Sequence, residues 1–324
     1  MSKSSPVRAA SGVEGFALLL VTLILVVVAG LLLDRALRAR VDYRQAANAG
    51  AQTRARAAAV AGVEHAVASL GSLALARSTP GPAASTPFAL EALRLSSRMT
   101  RVMLAPSVAY EVRIWDVSAR LHLNHAAEDE LRALFLGLGA GYGEAEVAAQ
   151  SILDWRDADD LHRARGAEWD DWYRHQARLV VPRNAPFRSL SELRQVRGME
   201  RLFPRAAPFL TVDGAGQVNL NTAPPAVLGT LSGIDEEIIS LILNRRTGER
   251  PLRNMFELQQ QLSSFAHQRL QREAVRLTAR AAFDSNLLEV EATGFIEDSP
   301  IRYTIRALVA HTGSTVQVVR SFEE

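Results

Sequence analysis

From Phe16 to Leu33 the chain carries no charged residue, and Thr22 is the one distinctly polar position. Eighteen such residues reach the lower limit for crossing a bilayer as a helix. The stretch from Asp34 to Ala76 follows without turn residues and is rich in Ala, Arg and Gln, all compatible with helix. The pattern predicts one continuous helix of about 60 residues, roughly 90 Å long at 1.5 Å per residue. Pro, Gly, Ser and Thr dominate residues 77–88 and predict a loop. Residues 90–104 have apolar positions at helical spacing and predict a short helix. Over 109–126, Val112 and Ile114 alternate with Arg113, and Leu121 and Leu123 with His122; two strands around a turn at 117–119 are expected. Residues 127–282 read mostly as helices and loops. Then the period changes: in 301–309, Ile301, Tyr303, Ile305, Ala307 and Val309 share one face and Arg302, Thr304 and Arg306 the other, as in a half-buried strand. Residues 287–296 and 315–322 are its expected antiparallel neighbours. Strands therefore enclose a helical insertion.

The 324 residues suffice for two or more domains. The formal charge of +2 builds no strong basic field, and all but one of the 37 basic residues are arginine. Cysteine is absent, which excludes disulfides, thiolate metal sites and cysteine nucleophiles. Lys3 and Arg8 precede the apolar run while Arg35, Arg38 and Arg40 follow it, so charge alone orients the anchor weakly. A Gly-x-Ser-x-Gly elbow and a His-Glu-x-x-His helix are both missing. Gly137, Gly139, Gly141 and Gly143 match no phosphate-binding spacing and predict a flexible loop. His122 and His125, on a predicted strand, point to opposite faces. His162 and His175 sit beside an acidic segment and are expected at the solvated surface. No enzyme is expected.

Gly15-Phe16-Ala17-Leu18-Leu19-Leu20 resembles the processing site of type IV pilins and type II secretion pseudopilins. The resemblance implies cleavage after Gly15 by the prepilin peptidase and methylation of Phe16. A Glu normally stands fifth after the cut; here it is Leu20, and the protein K branch of minor pseudopilins characteristically lacks that Glu. The strand–helical insertion–strand order, with "IWDVSARLHLNHA", "ILDWRDADD", "NAPFRSLSELRQVRGM" and "VNLNTAPPAVL", extends the resemblance to protein K over most of the chain. It implies an α+β pseudopilin fold: a long N-terminal helix on a small antiparallel sheet, with a large inserted all-α domain containing sterile-alpha-motif-like or helix-hairpin-helix-like units. The expected divisions are a leader (1–15), a membrane span (16–33), a periplasmic helix (34–76), the first part of the core (77–126), a helical domain (127–215), a second helical unit (216–282) and the last core strands (283–324). The implied role is a minor pseudopilin at the tip of the type II secretion pseudopilus. The implied setting is the inner membrane with the body in the periplasm. The implied partners are the I and J minor pseudopilins, the major pseudopilin and membrane lipid. A plain anchored scaffold is the bland alternative.

Residues 154–171 hold seven acids in eighteen positions, where the chain's 35 acids in 324 residues would place about two. Such clustered oxygens suit a hard cation, since Ca²⁺ takes six to eight oxygen ligands. The spacing is not that of an EF-hand. A solvated acidic loop balanced by Arg156, Arg163 and Arg165 is the competing account. The resemblance adds calcium held near such a segment in protein K, and Asp157, Asp159, Glu168 and Asp171 are the expected ligands.

Residues 218–234 look like the opening of a helix-hairpin-helix, whose backbone N–H groups grip DNA phosphates. Here the turn reads Gly233-Ile234-Asp235, followed by Glu236 and Glu237. Three carboxylates repel phosphate and suit a helix N-terminus instead. Arg245, Arg246 and Arg250 follow and keep an envelope DNA receptor as the alternative; protein contacts through this scaffold, and no nucleic acid, are the expectation.

Overall fold

The computed structural model describes residues 12–78, 86–176, 179–297 and 299–323. The expected leader lies mostly outside them; Gly15 and Phe16 fall within helix α1 (Gly12–Ser78). Sixty-seven helical residues extend about 100 Å. Its apolar N-terminal half stands free of the body, with an 18-residue window long and apolar enough to cross a membrane. Burial begins at Ala51 and continues through Ala55, Ala58, Ala59, Ala66, Leu70 and Ala74. This stripe of small side chains lets the helix lie close on a sheet.

That sheet contains β1 (Val102–Ala105), β2 (Val108–Asp116), β7 (Leu287–Ile296), β8 (Arg302–Thr312) and β9 (Thr315–Glu323), in the order β1-β2-β7-β8-β9. Every pair is antiparallel. Val112 faces Ala292, and Ile114 faces Val290, across the central pair. Their inward side chains pack with Tyr110, Leu288, Ala307 and Val309 against α1 and α2 (Phe88–Ser96). At Gly294 a Cβ would sit 2.0 Å from the Ala55 carbonyl oxygen, so only glycine permits this approach.

Between β2 and β7 lies a helical body with its own core: α3 (Glu128–Gly137), α4 (Tyr142–Arg156), α5 (Phe203–Ala206), α6 (Pro225–Leu228), α7 (Glu236–Thr247), α8 (Met255–Gln259), α9 (Ser264–Arg272) and α10 (Ala274–Arg280). One continuous core runs from Leu121 to Ala281, so the two helical units expected over 127–215 and 216–282 share their interior. Two short parallel ladders tie its ends: β3 (Leu121–His122) with β4 (Leu210–Thr211), and β5 (Val218–Asn219) with β6 (Ala281–Ala282).

Three local expectations change. The helix expected over 90–104 stops at Ser96, and Val102–Ala105 forms the edge strand β1; a short apolar run does not distinguish the two. The two strands expected around a turn at 117–119 are present, but the second is cut to Leu121–His122 and pairs with β4. A 3-10 turn at Val117–Ala119 sends the chain out of the sheet, and Leu121, Leu123 and Ala126 enter the helical core. The chain therefore bends after β3, and His122 and His125 do not diverge: their rings meet edge to face at 4.4 Å.

Candidate functional site

The stretch 218–225 is a clasp between the two cores. Asp116, at the end of β2, is buried and accepts from Ser118 N (2.8 Å), Asn219 Nδ2 (2.7 Å) and Thr222 Oγ1 (2.6 Å). Burial pushes its carboxyl above the usual range against these bonds. Asn221 donates to the Leu252 and Phe283 carbonyls and accepts from Leu252 N at 2.8 Å. The asparagines and threonine of this segment thus satisfy buried backbone and carboxylate groups.

The helix-hairpin-helix turn follows. Gly233 has φ +84°, a conformation that favours glycine. Asp235 caps α7 by accepting from Ile238 N at 3.0 Å and pairs with Arg269 at 2.8 Å. Glu237 accepts from Ser263 N and Oγ, both at 2.9 Å. Two of the three carboxylates thus fasten neighbouring helices. Two of the three arginines turn inward as well: Arg246 donates to the Leu220 and Ala223 carbonyls at 2.6 and 2.7 Å, and Arg245 pairs with Glu257 at 3.1 Å, while Arg250 stays exposed. Burial lowers the Arg246 guanidinium to about 10.

The acidic segment begins where α4 ends. Asp154 is wholly buried behind Ile152 and Trp155, which face the same core. Arg163 N reaches both its oxygens (3.3 and 3.1 Å), and Arg163 Nη1 bridges Asp154 Oδ1 at 2.5 Å and Asp157 Oδ2 at 2.6 Å. The loop folds tightly on this carboxylate, since a Cβ at Gly166 would lie 1.7 Å from Asp154 Oδ2. Glu168 is 1% exposed, and neither of its carboxylate oxygens has a hydrogen-bond partner. Asp157 Oδ1 and Asn184 Oδ1 are likewise buried and unpartnered. Burial raises the Glu168 carboxyl to about 7, and the negative fields of Asp154, Asp157 and Asp160 add to it.

Of the expected ligands, the structure sets Asp157 and Glu168 in one field. It gives Asp159 and Asp171 other work: Asp159 Oδ1 accepts from Leu161 N (2.9 Å) and Asp171 Oδ1 from Glu168 N (2.7 Å). Among the described residues no three His, Asp or Glu side chains converge on one point. The donor chemistry nonetheless fits a hard cation, because buried carboxylate oxygens without partners are costly unless something positive meets them. Asp154 carries a sequence signal of burial, an acid amid Ile152, Leu153 and Trp155. Asn184, in the left-handed region at φ +47°, had none, since 24 residues separate it from Asp160, whose Oδ1 it meets at 2.7 Å.

His122 is buried in β3. Burial lowers its imidazole to about 4, helped by His125, Arg280 and Arg156. Arg280 holds Glu130 with two nitrogens at 2.9 and 3.0 Å. A cleft of about 920 Å³ separates the outer sheet face from residues 188–213; in it Arg306 pairs with Glu291 (2.8 Å), Arg120 with Glu289 (2.6 Å) and Arg320 with Asp213 (2.6 Å).

Residues 113–214, which run from the middle of β2 through α4 and the acidic loop to the strap beyond β4, match the family described as type II secretion system (T2SS), protein K. The likeness to protein K is carried by this stretch. A type II secretion system protein K of Pseudomonas aeruginosa is 27% identical over 161 residues, covering 47% of this chain and 48% of that one. Another from Pectobacterium carotovorum subsp. carotovorum is 33% identical over 121 residues, covering 36% and 34%. The chain thus spans about half, or less, of the length of these curated relatives. A chain in the crystal structure of the GspK-GspI-GspJ complex from the enterotoxigenic Escherichia coli type 2 secretion system shares the fold, with a TM-score of 0.59 at 19% identity over 89% of this chain and 98% of that one. The matched stretch thus contains the acidic loop and the β2 end of the clasp.

Proposed function

We propose that the protein is a minor pseudopilin of type II secretion, anchored in the inner membrane by α1 with its body in the periplasm. One observation carries this reading: a helix-on-sheet core, interrupted between β2 and β7 by a helical body that holds most of the stretch matching protein K. The exposed apolar half of α1 supports the anchor, and the relative found in a GspK-GspI-GspJ complex supports minor pseudopilins of the I and J types as partners. In this reading the prepilin peptidase cuts after Gly15, Phe16 is methylated, the major pseudopilin lies below, and the broad body caps the filament. The work is assembly: burial of helix faces, without bond chemistry. The test is a pull-down of residues 41–324 against the soluble domains of I- and J-type pseudopilins, with duplex DNA as control. Retention of both domains and not of DNA supports the reading; retention of DNA alone replaces it with a nucleic-acid receptor. A Gly15→Leu chain of unchanged mature mass removes the cleavage site from it.

The acidic loop is further proposed to take calcium. Asp157 and Glu168 supply the unpartnered oxygens, Asn184 an amide oxygen, and Asp159 and Asp171 stand at the margin. The cation would neutralise Glu168 and hold the loop against α4. A rise in melting temperature on adding CaCl₂ to the chelator-treated protein, absent in Glu168→Gln, tests it.

A further inference from the structure

The acids of the loop are not without a counter-charge. One guanidinium nitrogen of Arg163 touches Asp154 at 2.5 Å and Asp157 at 2.6 Å. The other nearby arginines are engaged elsewhere: Arg156 with the Leu123 and Ala126 carbonyls, Arg165 with Glu146, and Arg197 with the Gly166 carbonyl and the Trp172 ring. Resting on the calcium reading above, we propose that Arg163 is a tethered counter-cation of this site, which a divalent cation must displace to bind and whose departure sets the cation concentration at which the loop responds.

Three features carry this. The first is what Arg163 leaves undone. Its fork reaches Asp154 and Asp157 but neither oxygen of Glu168, nor Asp157 Oδ1, all of which stay buried and unpartnered. A guanidinium donates along a few fixed directions, whereas Ca²⁺ gathers oxygens from many directions and carries twice the charge. The loop therefore has unmet demand that Arg163 cannot fill and a divalent ion can. The second is access to solvent. The Arg163 side chain is 37% exposed while Asp154 is 0% exposed. The acid is fixed and the arginine has a way out to water, where a guanidinium is readily solvated. The third is that leaving does not unfold the loop. Arg163 stays tied through its main chain, its N–H on Asp154 and its carbonyl accepting from Gly166 N at 3.0 Å. Only the side chain needs to swing. The loop then keeps one shape at low cation concentration, with Arg163 in place, and exchanges it for a metal-held state without melting.

The experiment uses the full chain in detergent, stripped with chelator, and titrates CaCl₂ calorimetrically into wild type, Arg163→Gln and Glu168→Gln. Removing the competitor is expected to tighten the apparent Kd about tenfold, the scale of one lost charge-assisted bond, while lowering the melting temperature of the cation-free protein. Glu168→Gln is expected to lose binding. A wild-type measurement guards against a misfolded variant: phenylglyoxal labelling of Arg163, read by mass spectrometry, is expected to rise severalfold with CaCl₂, with Arg197 unchanged. Binding that is equal or weaker in Arg163→Gln, or labelling that falls or stays level, overturns the displacement. If wild type and Arg163→Gln both bind no calcium, the calcium reading itself is lost, and the displacement with it.

Discussion

Gly294 holds a contact that no other residue type can keep, and Asp116 gathers three donors that few can. At Gly294 the α1 backbone passes so close that any Cβ meets the Ala55 carbonyl, the Ala59 nitrogen and the Ala58 methyl. Gly294→Val is expected to lower stability by at least about 1–3 kcal/mol, the usual cost of overpacking, and a urea unfolding curve measures it; an unchanged midpoint would show that the helix lies further off than described. Asp116 is different in kind. It is a buried carboxylate with three donors aimed at it, so Asp116→Ala strands the Asn219 amide and the Thr222 hydroxyl inside the clasp. The expected loss is about 1–3 kcal/mol, with Asp116→Asn falling between variant and wild type because an amide oxygen still accepts. Neither role was visible in the sequence. A glycine within a strand pattern and an acid at a strand end are common, and their partners lie about 240 and 100 residues away along the chain.

Elements with one uninterrupted period were legible. The continuous helix from the apolar run to Ala76 and the three C-terminal strands stand close to where their 3.6- and 2-residue patterns place them. Elements whose partners lie far off were not. Leu121 and Leu123 alternate like a hairpin arm, but Leu121 pairs in parallel with Leu210, a ladder that local pattern does not encode. The acidic loop was half legible: its density of acids marks it, but which oxygens are free depends on how Arg163 and the backbone share them. His122 gives this scale its pH dependence. Its pKa is lowered to about 4 from the ordinary 6.5, so the folded state holds fewer protons than the unfolded one between those values. Its contribution to stability is therefore complete above pH 6.5 and lost as pH falls through 4. His122→Gln keeps an acceptor for Asn124 N, which His122 Nδ1 accepts at 3.2 Å, and removes the titration. The stability gap between wild type and this variant is expected to narrow from pH 7 to pH 4.5; Glu168 acts with the opposite sign but equally in both chains and cancels. A gap of constant width would mean that His122 titrates as it does in the unfolded chain.

On the scale of the whole molecule, the chain is a rod with a body on its distal half. Because α1 is exposed until Ala51, a chain starting at residue 41 is expected to keep the melting temperature of the full protein and to need no detergent. A chain starting at residue 66 loses Ala55, Ala58, Ala59 and Gly62, the stripe under Gly294 and Tyr110, and is expected to lose the sheet's cooperative transition. Circular dichroism on the two pieces distinguishes these outcomes, and equal melting of both would place the stabilising contacts elsewhere.

The pairing of β2 with β7 has a consequence in time. Asp116 and Leu288 are neighbours in the sheet, yet about 170 residues of chain are synthesised between them. While the polypeptide emerges, β2 has only the short β1 beside it, and its other edge stays unpaired until β7, β8 and β9 arrive last. The helical body, closed by its own ladders, can condense during that interval, and contacts of such long separation are slow to form. Maturation is thus ordered from the inside of the sequence outward: the insertion first, the platform that carries it afterwards, and a nascent chain halted before residue 287 presents a finished body on an open, adhesive edge.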